Sequence, residues 1–379
     1  MDEINLLKKF NLKMKKSPDI SKKVLDQYST YASASLLFRE ISQMKKNSKI
    51  KYIFVIKTAS LYNLINFFPK QESFLIFSGL RSFLKHLFSG FNCMINLRIY
   101  KYILELIKDD SSKGLDRVSE KLRNNLKKIN PKYIFLETDI WPYERLLISI
   151  SKELGIKVVI VQHGIFTDGL HDGDGETADI FLSYDAYSSQ IIKAINNNVN
   201  TIEVGSLSKN LLKKKFLKRR VVCFIGQPIP LIFPEYKKNY LSLISSLDSK
   251  FCDLGVNFFY KPHPAESQEE YLKYIKNKTK LDSENCFARF DYFLSLTSSL
   301  SFEASLLGKV SAMIETNWLN SNISKSQYCH FIKEEDLLNN TNELFNLLPR
   351  KSNNLKNYNK GNLEDRLNYL AAELSKIHG

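Results

Sequence analysis

Short apolar runs recur along the first half of the chain with room for a helix between most of them: KYIFVI (51–56), SFLIF (73–77), KYIFLE (132–137), KVVIVQ (157–162) and DIFLSY (179–184). Continuous runs of five or six Val, Ile, Phe and Leu residues, without polar alternation, predict strands buried on both faces. With helical segments between them, they predict βα units on a parallel sheet. A lysine-rich stretch, SKNLLKKKFLKRR (208–220), interrupts the pattern. VVCFIG (221–226), VNFFYK (256–261) and DYFLSL (291–296) then begin a second series. The fold expected is α/β, with two Rossmann-like doubly wound domains at residues 1–210 and 211–350, facing one another across a central cleft. In the remaining 351–379, NLEDRLNYLAAELSKI (362–377) has the spacing of a helix that packs back on the first domain.

One segment admits two uses. In LRSFLKHLFSGFNCMI (80–95), Leu80, Phe83, Leu84, Leu87, Phe88, Phe91, Met94 and Ile95 fall on one helical face. The simpler expectation is a core helix covering the sheet. The other is a helix lying on a membrane surface, with Arg81 and Lys85 at the headgroups.

Composition narrows the classes. A chain of 379 residues with 44% hydrophobic content can bury a sizeable core. The net charge of +15 favours acidic partners, although abundant Lys, Asn and Ile throughout the chain also account for part of it. The five cysteines are scattered without CxxC spacing, which indicates neither a disulfide framework nor a zinc site. No stretch has the apolar core of a signal peptide or the ~20 residues of a spanning helix. The expected location is the cytoplasm, with peripheral contact at the inner face of the membrane as an option.

In doubly wound domains the chemistry sits just after the strands. After KVVIV come Gln162, His163 and Gly164, then Asp168 and Gly169, in a loop where an imidazole or carboxylate can take a proton from a hydroxyl. A plain Gly-rich solvated loop is the bland alternative, and the spacing of GLHDGDGE does not complete a calcium loop. After VVCFI come Gly226, Gln227 and Pro228, a turn that lets a ligand approach the backbone. After FFY come Lys261 and His263, bracketed by Pro262 and Pro264, two cationic side chains on a restricted backbone that suit a phosphate leaving group. After DYFLSL come Thr297, Ser298 and Ser299 at a predicted helix start, an anion site, with Glu303 one turn in and within reach of ribose hydroxyls and Gly308 as the stop. Taken alone, each admits a structural reading as a turn, a core histidine or a serine cap.

Their order carries a resemblance. Gln227-Pro228 and His263-Pro264 resemble the QP and HP signatures of capsule-type Kdo transferases. His-Pro followed by Ser-Ser is similar to bacterial sialyltransferases, and FLETDIWPYERLL (135–147) resembles a Trp-Pro stretch of lipid A Kdo transferases. The family resembled is bacterial GT-B glycosyltransferases of surface polysaccharide synthesis. The resemblance implies an inverting transferase that moves an ulosonic acid from a CMP-sugar to a glycan or lipid-linked glycan, without metal or other cofactor. The second domain would hold the donor and the first the acceptor. Gly226, Gln227, Pro228, Lys261, His263, Pro264, Thr297, Ser298, Ser299 and Glu303 would line the donor site. His263 would contact or protonate the phosphate, and His163, ranked before Asp168, would serve as base. The base motif departs from the acidic one of that family, and His163-Gly164 is similar instead to teichoic-acid glycerophosphotransferases, so a CDP-glycerol or CDP-ribitol phosphotransferase stays open. A non-enzymatic RNA-binding protein is the third class; the chain lacks an aromatic-basic recognition motif for it, and nucleic acid is not an expected partner.

Overall fold

The computed structural model describes residues 50–56, 60–77, 91–95, 103, 112–139, 141–162, 167–168, 175–184, 186–205, 219–263, 266, 275, 283–319, 322–323, 329–347, 368–370, 372 and 374. The chain divides into two compact units. One comprises residues 1–163, 172–208 and 362–379, and the other residues 164–171 and 209–361.

The first unit is built on seven strands: β1 (Tyr52–Ile56), β2 (Ser73–Phe77), β3 (Asn92–Ile95), β4 (Tyr133–Leu136), β5 (Lys157–Val161), β7 (Ile180–Ser183) and β8 (Asn200–Glu203). They form one sheet in the order β3-β2-β1-β4-β5-β7-β8, parallel at every pairing. Its helices include α1 (Ser60–Ile65), α2 (Ser112–Ile129), α3 (Pro142–Glu153) and α4 (Ala186–Ile195). Consecutive residues of β1, β4 and β5 are buried, as expected for a sheet covered on both faces. Phe54, Phe135 and Phe68 pack ring to ring on one face, with Phe54 and Phe135 stacked at 4.6 Å. Leu370 and Leu374, one helical turn apart near the end of the chain, bury into the same core, where Tyr133 Oη donates to the Leu374 carbonyl at 2.7 Å.

The second unit has β9 (Val221–Ile225), β10 (Asn257–Lys261), β11 (Tyr292–Ser295), β12 (Val310–Glu315) and β14 (His330–Lys333), again all parallel, in the order β10-β9-β11-β12-β14. Its helices include α5 (Lys237–Asp253), α6 (Ser283–Arg289), α7 (Ser299–Leu306) and α8 (Glu334–Asn339). Alternate residues of β9 enter different cores, Val222 and Phe224 on one face and Cys223 and Ile225 on the other, so the sheet is doubly wound. A separate ribbon pairs β6 (Thr167–Asp168) with β13 (Asn322–Ile323) antiparallel. All eight strands read from the apolar runs are present.

One expectation is corrected. Residues 92–95, read as the end of an amphipathic helix, form β3 and pair with β2 in parallel register. Four consecutive residues of NCMI satisfy an edge strand as readily as a helix turn, and the free edge of β2 decides between them. Residues 80–90 of that segment lie outside the described residues. No helix among the described residues is long and apolar enough to cross a membrane.

Candidate functional site

In the second unit the strand order reverses between β9 and β11, because the chain adds β10 on one side of β9 and β11 on the other. Loops leaving the carboxyl ends of two such strands part in opposite directions and open a crevice for a ligand. Gly226-Gln227-Pro228 leaves β9 and Thr297-Ser298-Ser299 leaves β11, so these two groups stand at the switch point.

They are joined there by side chain and backbone. The Gln227 amide group donates from Nε2 to Thr297 Oγ1, and its Oε1 accepts from the Thr297 backbone N–H at 2.6 Å. Seventy residues separate the two, and no local pattern announces the contact. Ser298 caps α7 from an extended conformation, its hydroxyl accepting from Leu300 N at 3.3 Å. Behind it the Ser295 and Ser301 hydroxyls share a buried bond of 2.6 Å. The serine-rich cluster is thus divided: Thr297 meets Gln227, Ser298 caps the helix, and Ser299 opens it, half-buried. Gly308 ends the helix with φ of 80°, a conformation that favours glycine. Glu303 is half-buried on α7, and burial pushes its carboxyl up to about 7.

Lys261 is the last residue of β10, and its carbonyl accepts from Gly226 N at 2.8 Å. His263, two residues on, is exposed; its pKa is lowered by desolvation and then by the neighbouring Lys261 charge. Its backbone N–H donates to Glu266 Oε2 at 2.5 Å, and Glu266 N returns a bond to the His263 carbonyl at 2.9 Å. Glu266 is buried, and its Oε1 accepts from Tyr260 Oη at 2.7 Å and from Tyr240 Oη at 3.2 Å. Tyr240 Oη in turn accepts from Gln227 N at 2.9 Å. Burial drives the Glu266 carboxyl up to about 7 against the opposing pull of these bonds. Sequence reasoning missed Glu266, Tyr240 and Tyr260. For Glu266 a signal existed, an acid three residues after His263 in a proline-bounded turn.

Of the remaining candidates, Pro228 precedes a short helical turn, Ile229–Ile232. Pro264 and His163 lie outside the described residues. Asp168 falls in β6, where it pairs with Asn322; its side chain is outside the described set. Gln162 is buried, with Oε1 accepting from Tyr184 N at 2.7 Å and Nε2 donating to Ser188 Oγ at 3.1 Å. These bonds fix the backbone immediately before His163.

The acids of the Trp-Pro stretch have structural partners. Asp139 is fully buried and accepts from Gly175 N at 2.9 Å, Thr177 N at 3.0 Å and Thr177 Oγ1 at 2.6 Å, tying the end of β4 to the turn before β7. Pro142 opens α3 at its first turn. A cavity of about 790 Å³ lies at the carboxyl ends of β12 and β14; Trp318 lines it, with its indole N–H donating to Glu334 at 2.8 Å. It shares no residue with the switch-point loops. Among the described residues no three His, Cys, Asp or Glu side chains form a metal-ligating group.

This architecture matches solved structures over most of its length. A putative UDP-N-acetylglucosamine 2-epimerase from Listeria monocytogenes aligns with a TM-score of 0.55 at 13% identity, over 79% of this chain and 88% of its own. The UDP-GlcNAc 2-epimerase of Methanocaldococcus jannaschii aligns at 0.53 with 11% identity, over 86% and 100% respectively. The calicheamicin glycosyltransferase CalG4 aligns at 0.51 with 9% identity, over 87% and 100%. The fold is GT-B. At such identities the likeness extends to the GT-B architecture alone. No protein-family model and no curated protein sequence matches the chain.

Proposed function

We propose that this GT-B protein is an inverting, metal-independent glycosyltransferase that moves an ulosonic acid, such as Kdo or sialic acid, from a CMP-sugar to a bacterial surface glycan. The observation that carries the reading is the bonded junction of Gln227 with Thr297 at the switch point, where the QP and Thr-Ser-Ser motifs meet. The HP motif is tied to the same place through Glu266 and Tyr240.

In this reading the cytidylate phosphate rests against Ser299 and the first turn of α7, with Lys261 and His263 supplying positive charge and hydrogen-bond donors. Glu303 accepts from ribose hydroxyls. A nucleoside monophosphate leaving group carries less charge than a diphosphate, so two side chains and a helix start suffice without a metal. The lowered pKa of His263 favours the neutral ring in the free protein, and an adjacent phosphate anion favours proton uptake, which would prepare it as the acid. His163, with Asp168 as second choice, takes the proton of the acceptor hydroxyl. Both acceptor-side assignments rest on the motif order in the sequence.

The test is a thermal-shift comparison of CMP, CDP, UMP, UDP and GDP, since stabilisation tracks affinity. CMP is expected to raise the melting temperature most. A preference for UDP would replace the donor class with a UDP-sugar, and activity confined to CDP-alditols would make the protein a phosphotransferase.

A further inference from the structure

We propose that Glu266, as a carboxylate, is a positioning residue that locks the His263 turn and the Gln227 loop into a single unit. It does so through the His263 amide on one side and through Tyr260 and Tyr240 on the other. The inference deepens the donor-site reading above and rests on it for the ligand.

Donor counting carries the argument. Three hydrogens converge on two oxygens: His263 N–H on Oε2, and the Tyr260 and Tyr240 hydroxyls on Oε1. An ionised carboxylate is acceptor-only and satisfies all three; a protonated one brings a hydrogen of its own, and one of the three must turn away. The Tyr240 oxygen also receives Gln227 N–H at 2.9 Å and lies 3.2 Å from Tyr260 Oη, so a change in hydroxyl orientation at Glu266 reaches Gln227 in two steps. Position 226 leaves no slack, because a methyl group there would collide with Tyr260 Oη and Glu266 Oε2.

Among the described residues, the ionisable side chains bonded to Glu266 are Tyr240 from α5 and Tyr260 from β10, and no cation is among the groups that shift it. Its proton therefore answers chiefly to burial, which sets the equilibrium near neutrality. Below that range the unit loosens; above it the unit is set for the donor.

The experiment is an amide titration of the 15N-labelled, ligand-free full chain between about pH 5.5 and 8.5, following His263 and Gln227. Both amides are expected to move with one shared midpoint in the wild type. Glu266→Gln should abolish the shared inflection at both, leaving at His263 only the lower-pH step of its own imidazole, and Tyr240→Phe should remove the shared inflection at Gln227 while leaving it at His263. A Gln227 amide that ignores pH in the wild type, or one that still follows it in Tyr240→Phe, overturns the lock. CMP binding at about pH 8 adds the functional arm, where Glu266→Gln is expected to weaken affinity about tenfold through lost hydrogen bonds. Equal CMP affinity in wild type and variant overturns the positioning role. A wild type that binds none of the five nucleotides overturns the donor reading instead, and the amide titration still decides the lock.

Discussion

A methyl group at position 226 would stand 2.6 Å from Glu266 Oε2 and closer still to Tyr260 Oη. Glycine is required there by proximity, since the residue is not among those with positive φ. Gly226→Ala should therefore lower stability by about 1–3 kcal/mol, as overpacking does, and weaken nucleotide binding. Denaturant unfolding and a thermal-shift titration with CMP check the two effects. His263 gives a complementary prediction. If its imidazole protonates the leaving phosphate, His263→Ala should reduce kcat about a hundredfold or more, with a much smaller change in donor affinity. Equal losses in both would make it a binding residue. The bracketing prolines made His263 legible in the sequence. Its partner Glu266 was printed in the same ten residues, but only the folded chain brings the two tyrosines to it.

At the amino ends of β11 and β12, opposite the switch-point loops, Asp291 and Lys309 form a buried ion pair of 2.6 Å. The second Asp291 oxygen accepts from Arg219 N at 3.0 Å, so one carboxylate gathers the approaches to three adjacent strands, β9, β11 and β12. Lys309→Met would strand that charge in the core and should cost about 3–5 kcal/mol, measurable as a lower urea midpoint at unchanged slope. The strands that periodicity left unassigned are those with weaker apolar runs. β8 is Asn-Thr-Ile-Glu at one sheet edge, and only its Ile202 is buried. β14 is His-Phe-Ile-Lys at an edge and half-buried for most of its length. β12 is buried, but Ser311 and Ala312 dilute its apolar signal. A buried strand built wholly of large apolar residues declares itself by composition, whereas an edge strand or one diluted by small residues is fixed by the neighbour it pairs with. The joining of Gln227 to Thr297 belongs to the same class of fact, since it depends on β9 and β11 lying side by side.

Among the described residues, burial raises the carboxyls of Glu266, Glu303 and Glu334, the first two furthest. Glu266 and Glu303 are both raised by burial to about 7, above the ordinary carboxylate value, so the folded state binds protons more tightly than the unfolded chain. Their contribution to stability is complete below about pH 4.5 and is lost as pH rises through about 7. His263 acts with the opposite sign, because its lowered pKa penalises the fold as pH falls. Melting temperatures of the wild type and of a Glu266→Gln, Glu303→Gln double variant should diverge over that interval, the variant declining less steeply with rising pH. A parallel pair of slopes would refute the assignment. The two-sheet architecture was legible because most of its buried strands announced themselves; the excursion of residues 164–171 into the second unit was not. The backbone passes from one to the other near residues 163, 171, 208 and 361, and the first excursion contributes β6 to a ribbon with β13. A chimera that exchanges the second unit with a relative's therefore needs four junctions, and a fragment cut out as residues 209–361 would leave β13 without its mate.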